Sequence, residues 1–252
     1  MIKSCITAIR TLTVFPVPGK DTEKFPSSIP FFPVAGGILA GFLFLVYKIL
    51  QAFPDIPYLP GIIMVTSMIL FTGALHVDGL ADVADGFGGG RTRERILEIF
   101  KDSRLGTFGV IAVVLNILLK VIMYSWYFEN SNFILIVISI IWSRMSMSAM
   151  LAFLPSATPG KGIASSFVSG SNKFQIIISI IVVMVLTFTI CNYKLVIELL
   201  IFSIVVFILF SQLCLKKIGG ITGDCAGAMN ELIELVILIT GSILLKGQLI
   251  EV

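Results

Sequence analysis

Long uninterrupted runs of apolar residues dominate the chain and predict helices that cross a membrane. A helix needs about 20 apolar residues to span the hydrocarbon core of a bilayer. Seven segments of this kind are present, and they cover residues 31–53, 60–77, 107–128, 133–154, 174–192, 195–214 and 232–250. The pattern predicts an all-α, polytopic transmembrane bundle of about seven spans, with six to eight as the range, forming a single integral membrane domain over residues 1–252.

Two of these spans carry features that affect how they are expected to pack. The fifth and sixth are separated only by Asn192, Tyr193 and Lys194, which predicts a tight helical hairpin. The last span contains Glu234 and Lys246. It is therefore expected either to pack inside the bundle or to lie partly in the membrane interface, because isolated charges are costly in lipid.

Positive residues alternate between the connecting segments and predict an orientation. They gather before the first span and in every second connection after it, whereas the intervening connections hold only Lys194. Lys and Arg favour the cytoplasmic side of a membrane. The N-terminus is therefore predicted to be cytoplasmic, with cytoplasmic loops 78–106, 155–173 and 215–231 forming a site.

Two segments are too charged to span but have apolar faces typical of helices that lie on a membrane surface. They are residues 1–15, with Ile2, Ile6 and Ile9 on the apolar face, and Arg91–Arg104. The second segment is equally consistent with an ordinary connector and with a wall of a site.

Composition supports the membrane assignment and excludes other classes. The chain is 57% hydrophobic and 13% charged, with a mean hydropathy of +1.03, whereas soluble domains are about a quarter charged. The net charge is only +3, and the sequence contains no dense basic stripe, so no nucleic-acid partner is expected. The four cysteines form no CxxC pair and are expected to be free thiols; they are Cys5, Cys191, Cys214 and Cys225.

An acidic motif follows the second span. If that span continues as a helix, Asp78, Asp82 and Asp85 lie at positions i, i+4 and i+7 and share one face. Three neighbouring carboxylates repel one another, so either one takes up a proton or a cation binds between them. Oxygen ligands favour Mg²⁺, Mn²⁺ or Ca²⁺ over zinc.

Glycines and arginines come directly after the acidic motif. The helix is expected to stop at Gly86 and at Gly88, Gly89 and Gly90, where backbone N–H groups could approach an anion, and Arg91 follows. Together they indicate a site for a phosphate or pyrophosphate group. Each feature also has a simpler explanation when taken singly. The acidic residues could be a solvated helix end, the glycines a flexible linker, and the arginines residues that set the membrane topology.

Further polar residues extend the candidate site. Asp102 is expected to be a metal ligand, a general base or a helix cap, and Asp224 and Glu231 lie two turns apart on one predicted helix face after a glycine-rich turn that suits a phosphate. Arg144 lies deep in a span and is expected to pair with a carboxylate or to hold a substrate phosphate. His76, the sole histidine, is a proton carrier or simply a polar residue at a helix exit.

Segments spread over nearly the whole chain resemble the adenosylcobinamide-GDP ribazoletransferase family, also called cobalamin synthase. They are Leu12–Pro18, Phe31–Pro33 with Gly36 and Gly41, Gly73–Gly90, Arg93–Gly109, Ser143–Arg144, Gly162–Phe167 and Gly223–Glu231. The run from Leu75 to Gly90 is long and unusual in composition, which makes it the most specific part of the resemblance.

The resemblance implies a specific reaction. Enzymes of this family transfer the adenosylcobinamide-phosphate group of adenosylcobinamide-GDP to α-ribazole or its 5′-phosphate, release GMP and require Mg²⁺. They act in the last steps of cobalamin nucleotide-loop assembly, which implies the prokaryotic cytoplasmic membrane, a site facing the cytoplasm and possible association with itself or with other cobalamin-assembly enzymes.

Residue roles consistent with that reaction are predicted from the acidic and basic clusters. Metal ions between carboxylates can clamp an in-line displacement at phosphorus. The predicted metal ligands are Asp78, Asp82 and Asp85, and the predicted catalytic residues are Asp82 and Asp102. The predicted phosphate-binding residues are Arg91, Lys101, Arg104, Gly88 and Gly89, with Asp224, Glu231, Arg144 and His76 as secondary candidates.

Three other functions are also compatible with a polytopic membrane protein. A cation-coupled transporter would place acidic residues near the membrane midplane and would contain broken helices in matching halves. A non-catalytic membrane subunit would keep its properties when Asp82 is neutralised. A phosphotransferase of phospholipid synthesis would accept a CDP-linked donor.

Overall fold

A computed structural model describes residues 1–53, 56–160, 162–170 and 172–250, with side chains given for all of these except 162–164, 169 and 246–250. The helices are α1 Ile2–Leu12, a 3₁₀ helix Phe25–Phe31, α2 Phe32–Leu50, α3 Leu59–Phe71, α4 Leu75–Gly89, α5 Arg93–Ile99, α6 Thr107–Glu129, α7 Phe133–Phe153, α8 Gly162–Gly170, α9 Lys173–Ile190, α10 Tyr193–Ile218 and α11 Gly223–Ile250. The described residues contain no strand, so the all-α prediction is confirmed.

The number of membrane-crossing helices agrees with the sequence. Six helical segments of the described residues are long and apolar enough to cross a bilayer, and α3 with α4 forms a seventh candidate as a bent pair. The prediction of about seven spans is confirmed.

The second predicted span is broken. Helix α3 ends at Phe71, and α4 begins at Leu75 after a bend of 89°. Gly73 (φ 60°) and Ala74 (φ 58°) both adopt left-handed backbone at the bend, which glycine adopts readily and alanine rarely. Residues 60–77 are therefore not one helix, and the acidic motif lies on a separate helix that runs across the end of α3.

The fifth and sixth spans do not form a packed hairpin along their length. Their connection is short, because α9 ends at Ile190 and the Asn192 side chain accepts a hydrogen bond from Lys194 N at 2.9 Å at the start of α10. Beyond that turn the helices diverge: α9 packs mainly against α7, and α10 packs mainly against α11.

The last helix is longer than predicted and lies at the centre of the bundle. Helix α11 starts at Gly223 and packs mainly against α4, α7 and α10. The predicted loop 215–231 is therefore mostly helical, with only residues 219–222 between α10 and α11. Of the two expectations for this span, packing inside the bundle is confirmed, since Glu231 and Glu234 are 3% and 1% exposed.

Helix α1 packs on the 3₁₀ helix and on α2, and its buried face shares Ile9 with the predicted apolar face. Ala8, Ile9 and Leu12 are buried, whereas Ile2 is 79% exposed. The Arg10 guanidinium forms an ion pair with Asp21 at 2.8 Å, which holds the connection after α1 against the helix. The N-terminal segment is thus folded onto the bundle, although its first turn remains exposed.

Candidate functional site

A cavity of about 690 Å³ lies between α4, α5 and α11 on one side and α1, the 3₁₀ helix, α2, α7 and α8 on the other. Residues from each of the predicted segments 78–106, 155–173 and 215–231 line it. Leu12 and Phe25 also line it, so the N-terminal segment contributes a wall that the sequence did not assign to the site.

Carboxylates from α4 and α11 meet at this cavity. Asp78 and Asp224 both line it, because α4 packs directly on the start of α11: a Cβ added to Gly79 would lie 3.0 Å from Asp224 Cα. Asp82 is one turn further along α4, where Asp224 and Asp78 act on it as like charges. Thr222 donates a hydrogen bond to Asp224 Oδ2 at 3.1 Å and fixes that carboxylate.

The carboxylates suit a cation by their chemistry, but they do not form a closed cage. No group of three His, Cys, Asp or Glu residues within the described parts of the chain is placed to hold a metal ion. Magnesium, however, is usually held by one or two carboxylates together with substrate phosphates and water. One or two of the carboxylates of Asp78, Asp82 and Asp224 fit that kind of site, because a cation relieves the repulsion between their like charges.

Asp85 makes contacts that differ from those of its two predicted partners. Its carboxylate is 8% exposed and accepts hydrogen bonds from Gly106 N at 2.7 Å and from Gly109 N at 2.8 Å. Gly109 is in the first turn of α6 and Gly106 directly precedes it, and this helix otherwise lacks a side-chain cap. Asp85 therefore caps α6 from another helix, and a role as a metal ligand remains a prediction.

Asp102 forms a pair with Arg104 on the surface and does not line the cavity. Arg104 Nη2 lies 2.7 Å from Asp102 Oδ2, and Arg104 Nε donates to Asp102 Oδ1 at 3.0 Å. These hydrogen bonds lower the pKa of Asp102 to about 2. A carboxylate with so low a pKa is a weak general base at neutral pH.

The predicted phosphate-binding residues are spread over the same end of the bundle. Lys101 lines the cavity, whereas Arg91 is exposed beyond it. Gly88 and Gly89 are exposed in the last turn of α4. Helix α4 ends at Gly89, which confirms the prediction that it stops within the glycines Gly86 and Gly88–Gly90.

Close packing explains why the end of α4 is rich in glycine. A Cβ at Gly86 would lie 2.7 Å from Phe100 Cδ1, and one at Gly90 would lie 2.8 Å from Gly86 O. Leu97 of α5 and Phe100, which directly follows α5, in turn line the cavity. The segment Arg91–Arg104 is therefore a wall of the cavity rather than a simple connector.

Four buried charges form a neutral network deeper in the bundle. Lys120 Nζ lies 2.7 Å from Glu231 Oε2 and 3.0 Å from Glu234 Oε1, and Arg144 Nη1 lies 3.2 Å from Glu234 Oε2. The prediction that Arg144 pairs with a carboxylate is confirmed. Glu231 was expected on one helix face with Asp224, at the end of the site segment 215–231. It does lie on α11, but inside the bundle, where Lys120 of α6 pairs with it.

Two neutral side chains complete this network, and neither was singled out in the sequence. Asn116 Nδ2 donates to Glu231 at 2.6 Å, and the Tyr124 hydroxyl donates to Glu234 at 2.8 Å. His76 lies between the network and the cavity, is 1% exposed, and contributes to the cavity lining. The i, i+4, i+8 spacing of Asn116, Lys120 and Tyr124 was the available signal for a polar stripe on α6.

Arg93 is a further residue that sequence reasoning did not assign. Its guanidinium donates to Ile218 O at 2.9 Å and to Ala157 O at 2.6 Å, which joins α5 to the end of α10 and to the segment before α8. Ala157 N also donates to Ile221 O at 2.9 Å. Arg93 therefore holds together the three segments that enclose the cavity.

Comparison with known proteins identifies the family. The profile of the family described as Cobalamin-5-phosphate synthase matches residues 4–242. An adenosylcobinamide-GDP ribazoletransferase of Chlorobaculum parvum is 36% identical over 98% of each chain. Proteins of the same description from Chlorobium phaeovibrioides and Caldanaerobacter subterraneus are 37% identical (93% of this chain, 95% of the relative) and 32% identical (96% and 99%). No solved structure matches the chain. The chain belongs to the cobalamin-5-phosphate synthase family.

Proposed function

We propose that this protein joins adenosylcobinamide-GDP to α-ribazole, or to α-ribazole 5′-phosphate, and releases GMP. The observation that carries the proposal is the meeting of Asp78 and Asp224 at the cavity, with Asp82 one turn along α4 and close enough to feel both charges, in a chain that matches ribazoletransferases over nearly its whole length. The same membership argues against the transporter and the phospholipid phosphotransferase as alternatives.

The reaction is a displacement at phosphorus. A ribose hydroxyl oxygen of α-ribazole forms a bond to the phosphorus next to the aminopropanol linker, and the pyrophosphate P–O bond to GMP breaks. The hydroxyl proton must pass to a base. Asp78 and Asp224 are the candidates that line the cavity, and Asp82 lies within one turn of Asp78 on α4.

Mg²⁺ is the proposed cofactor, held by one or two of the carboxylates of Asp78, Asp82 and Asp224 together with the donor's phosphates. When bound, it supplies positive charge to the oxygens of the transferred phosphate and of the departing GMP. Lys101, at the cavity wall, adds a charge-assisted contact to a phosphate oxygen.

Residues outside the cavity contribute more to positioning than to chemistry. We assign Asp102 the role of orienting Arg104, since both Asp102 oxygens accept from that guanidinium. Arg104, Arg91 and the surface around Gly88 and Gly89 are then available to the outer phosphate or to the guanosine part of the donor.

The site is proposed to face the cytoplasm in the cytoplasmic membrane of a prokaryote. This proposal is supported by the basic residues of the site end, which include Arg91, Arg93, Arg95, Lys101 and Arg104. The soluble nucleotide substrates would then reach the cavity from the cytoplasm, while the spans anchor the enzyme in lipid.

A transfer assay tests the proposal. The full chain, purified in detergent with lipid, is incubated with adenosylcobinamide-GDP, α-ribazole and Mg²⁺, and GMP release is followed together with the corrinoid product. We expect equal amounts of both products, and loss of both when Asp224→Asn replaces the wild type or when EDTA is added.

The matched control is Glu98→Gln. Glu98 lies at the same end of the bundle, but its carboxylate is exposed and pairs with Arg95 at 3.0 Å on the surface of α5. It should retain wild-type activity. Transfer by Asp224→Asn at the wild-type rate would contradict the assignment of the site, and absence of transfer by a folded wild type would contradict the function.

A further inference from the structure

The cavity wall formed by the 3₁₀ helix, α2 and α8 is aromatic. Phe25 and Phe32 each make an edge-to-face contact with Phe167, with ring centroids 6.2 Å and 6.0 Å apart and planes inclined at 84° and 77°. Phe25 is 44% exposed, and Phe32 and Phe167, which are 1% and 4% exposed, pack behind it at the cavity wall. These three rings, Phe25, Phe32 and Phe167, form the aromatic wall. Because they pack against one another, they offer a preformed surface for a flat apolar group.

The polar residues of the cavity belong to other elements. Asp78 lies on α4, Asp224 on α11, and Thr222 precedes α11 and donates to Asp224. The two helices that carry the acids approach closely where Gly79 of α4 meets the backbone of Asp224, whereas the aromatic rings contact each other. The lining is therefore segregated into an acidic part and an aromatic part.

The volume limits what can occupy the aromatic part. Cavities of about 300–1,000 Å³ enclose drug-sized molecules, and this one measures about 690 Å³. A nucleoside fits within that space with room for a phosphate group. A corrin ring with its amide arms and its adenosyl group is several times larger than a nucleoside and must remain largely outside.

We propose that the aromatic wall binds the dimethylbenzimidazole base of α-ribazole, with the ribose directed towards Asp78 and Asp224. The inference rests on the proposed function, which supplies the two substrates. A dimethylated benzimidazole is flat and apolar and has no N–H group when it is joined to ribose, so burial against phenylalanines leaves no donor unsatisfied. Guanine carries several donors and acceptors that this wall does not match, and burying them unpaired is unfavourable.

Direct binding tests the site independently of catalysis. The full chain in detergent, treated with EDTA, is titrated with α-ribazole, and the fluorescence of the benzimidazole is followed. Loss of the ring in Phe167→Ala should weaken binding by about ten- to a hundredfold, as expected for the loss of a buried aromatic contact. Phe167→Leu preserves the packing of α8 and should weaken binding less.

The control is Phe188→Ala on α9, which removes a ring that is 41% exposed on the outside of the bundle. It should bind α-ribazole as the wild type does. In steady-state transfer, Phe167→Ala should raise KM for α-ribazole by a similar factor and leave KM for adenosylcobinamide-GDP unchanged.

The outcomes separate this inference from the proposed function. If Phe167→Ala and Phe167→Leu both bind α-ribazole as tightly as the wild type, or if only KM for adenosylcobinamide-GDP rises, the aromatic wall does not hold the base, although the transferase remains. If the wild type binds α-ribazole more tightly than Phe167→Ala but releases no GMP in the transfer assay, the site for the base is supported and the proposed function is contradicted.

Discussion

Removal of Lys120 should destabilise the bundle strongly, because it unbalances the buried charge network. In Lys120→Met, two carboxylates that are 3% and 1% exposed, Glu231 and Glu234, keep only Arg144 as a cation. Breaking a buried ion pair by removing one partner costs about 3–5 kcal/mol. For a chain of this size each kcal/mol lowers Tm by about 2–4 °C, so a loss of roughly 6–20 °C is expected.

The assay is thermal unfolding in detergent, followed by tryptophan fluorescence. Trp142 is 1% exposed and donates to Thr187 at 3.1 Å, so its emission reports the packing of α7 against α9. Lys120→Met/Glu231→Gln removes one charge of each sign and should recover most of the loss, giving a coupling of more than about 1 kcal/mol in a double-mutant cycle. Lys194→Met, at the exposed start of α10, is the control.

The reasoning would be refuted if Lys120→Met melted within about 2 °C of the wild type, a change below 1 kcal/mol. It would also be refuted if the double variant were as unstable as the sum of the two single variants. Either result would mean that Glu231 and Glu234 are stabilised without Lys120.

Two further predictions concern the edge of the cavity. Gly109→Ala should lower Tm, because the added Cβ would collide with the Asp85 carboxylate and lie 3.0 Å from Ala81 O. The control Gly41→Ala should leave Tm unchanged, because nothing lies within 4 Å of the added Cβ. Equal Tm values for the two variants would contradict the capping role of Asp85. Asp102→Asn should lower kcat/KM by less than about tenfold in the transfer assay, because a carboxylate with a pKa of about 2 is a poor base; a loss of about 100-fold or more would identify Asp102 as the general base.

The fold followed from the sequence wherever the signal was local. Apolar run length predicted the spans because lipid requires about 20 apolar residues in a helix. The break between α3 and α4 escaped prediction, since hydropathy continues through residues 60–77 and no proline marks it. Gly73 was the local sign of the break, and the neighbouring Ala74 also adopts a positive φ, which is unfavourable for alanine.

The site was predicted less completely, because its contacts are between residues distant in sequence. The acidic spacing on α4 was visible, but the approach of Asp224 depends on packing at Gly79 and could not be read from spacing. The burial of Glu231 was not predicted because its partner Lys120 lies 111 positions earlier. The aromatic wall escaped notice for the same reason, since its three rings come from three separate elements.

The most direct test of the central claim is the transfer assay with the Asp224→Asn variant beside the wild type. The account predicts that the folded wild type forms corrinoid product and GMP in equal amounts with Mg²⁺, and that Asp224→Asn forms neither although it melts like the wild type. Equal transfer by the two proteins would show that the carboxylates at the cavity do not carry the reaction.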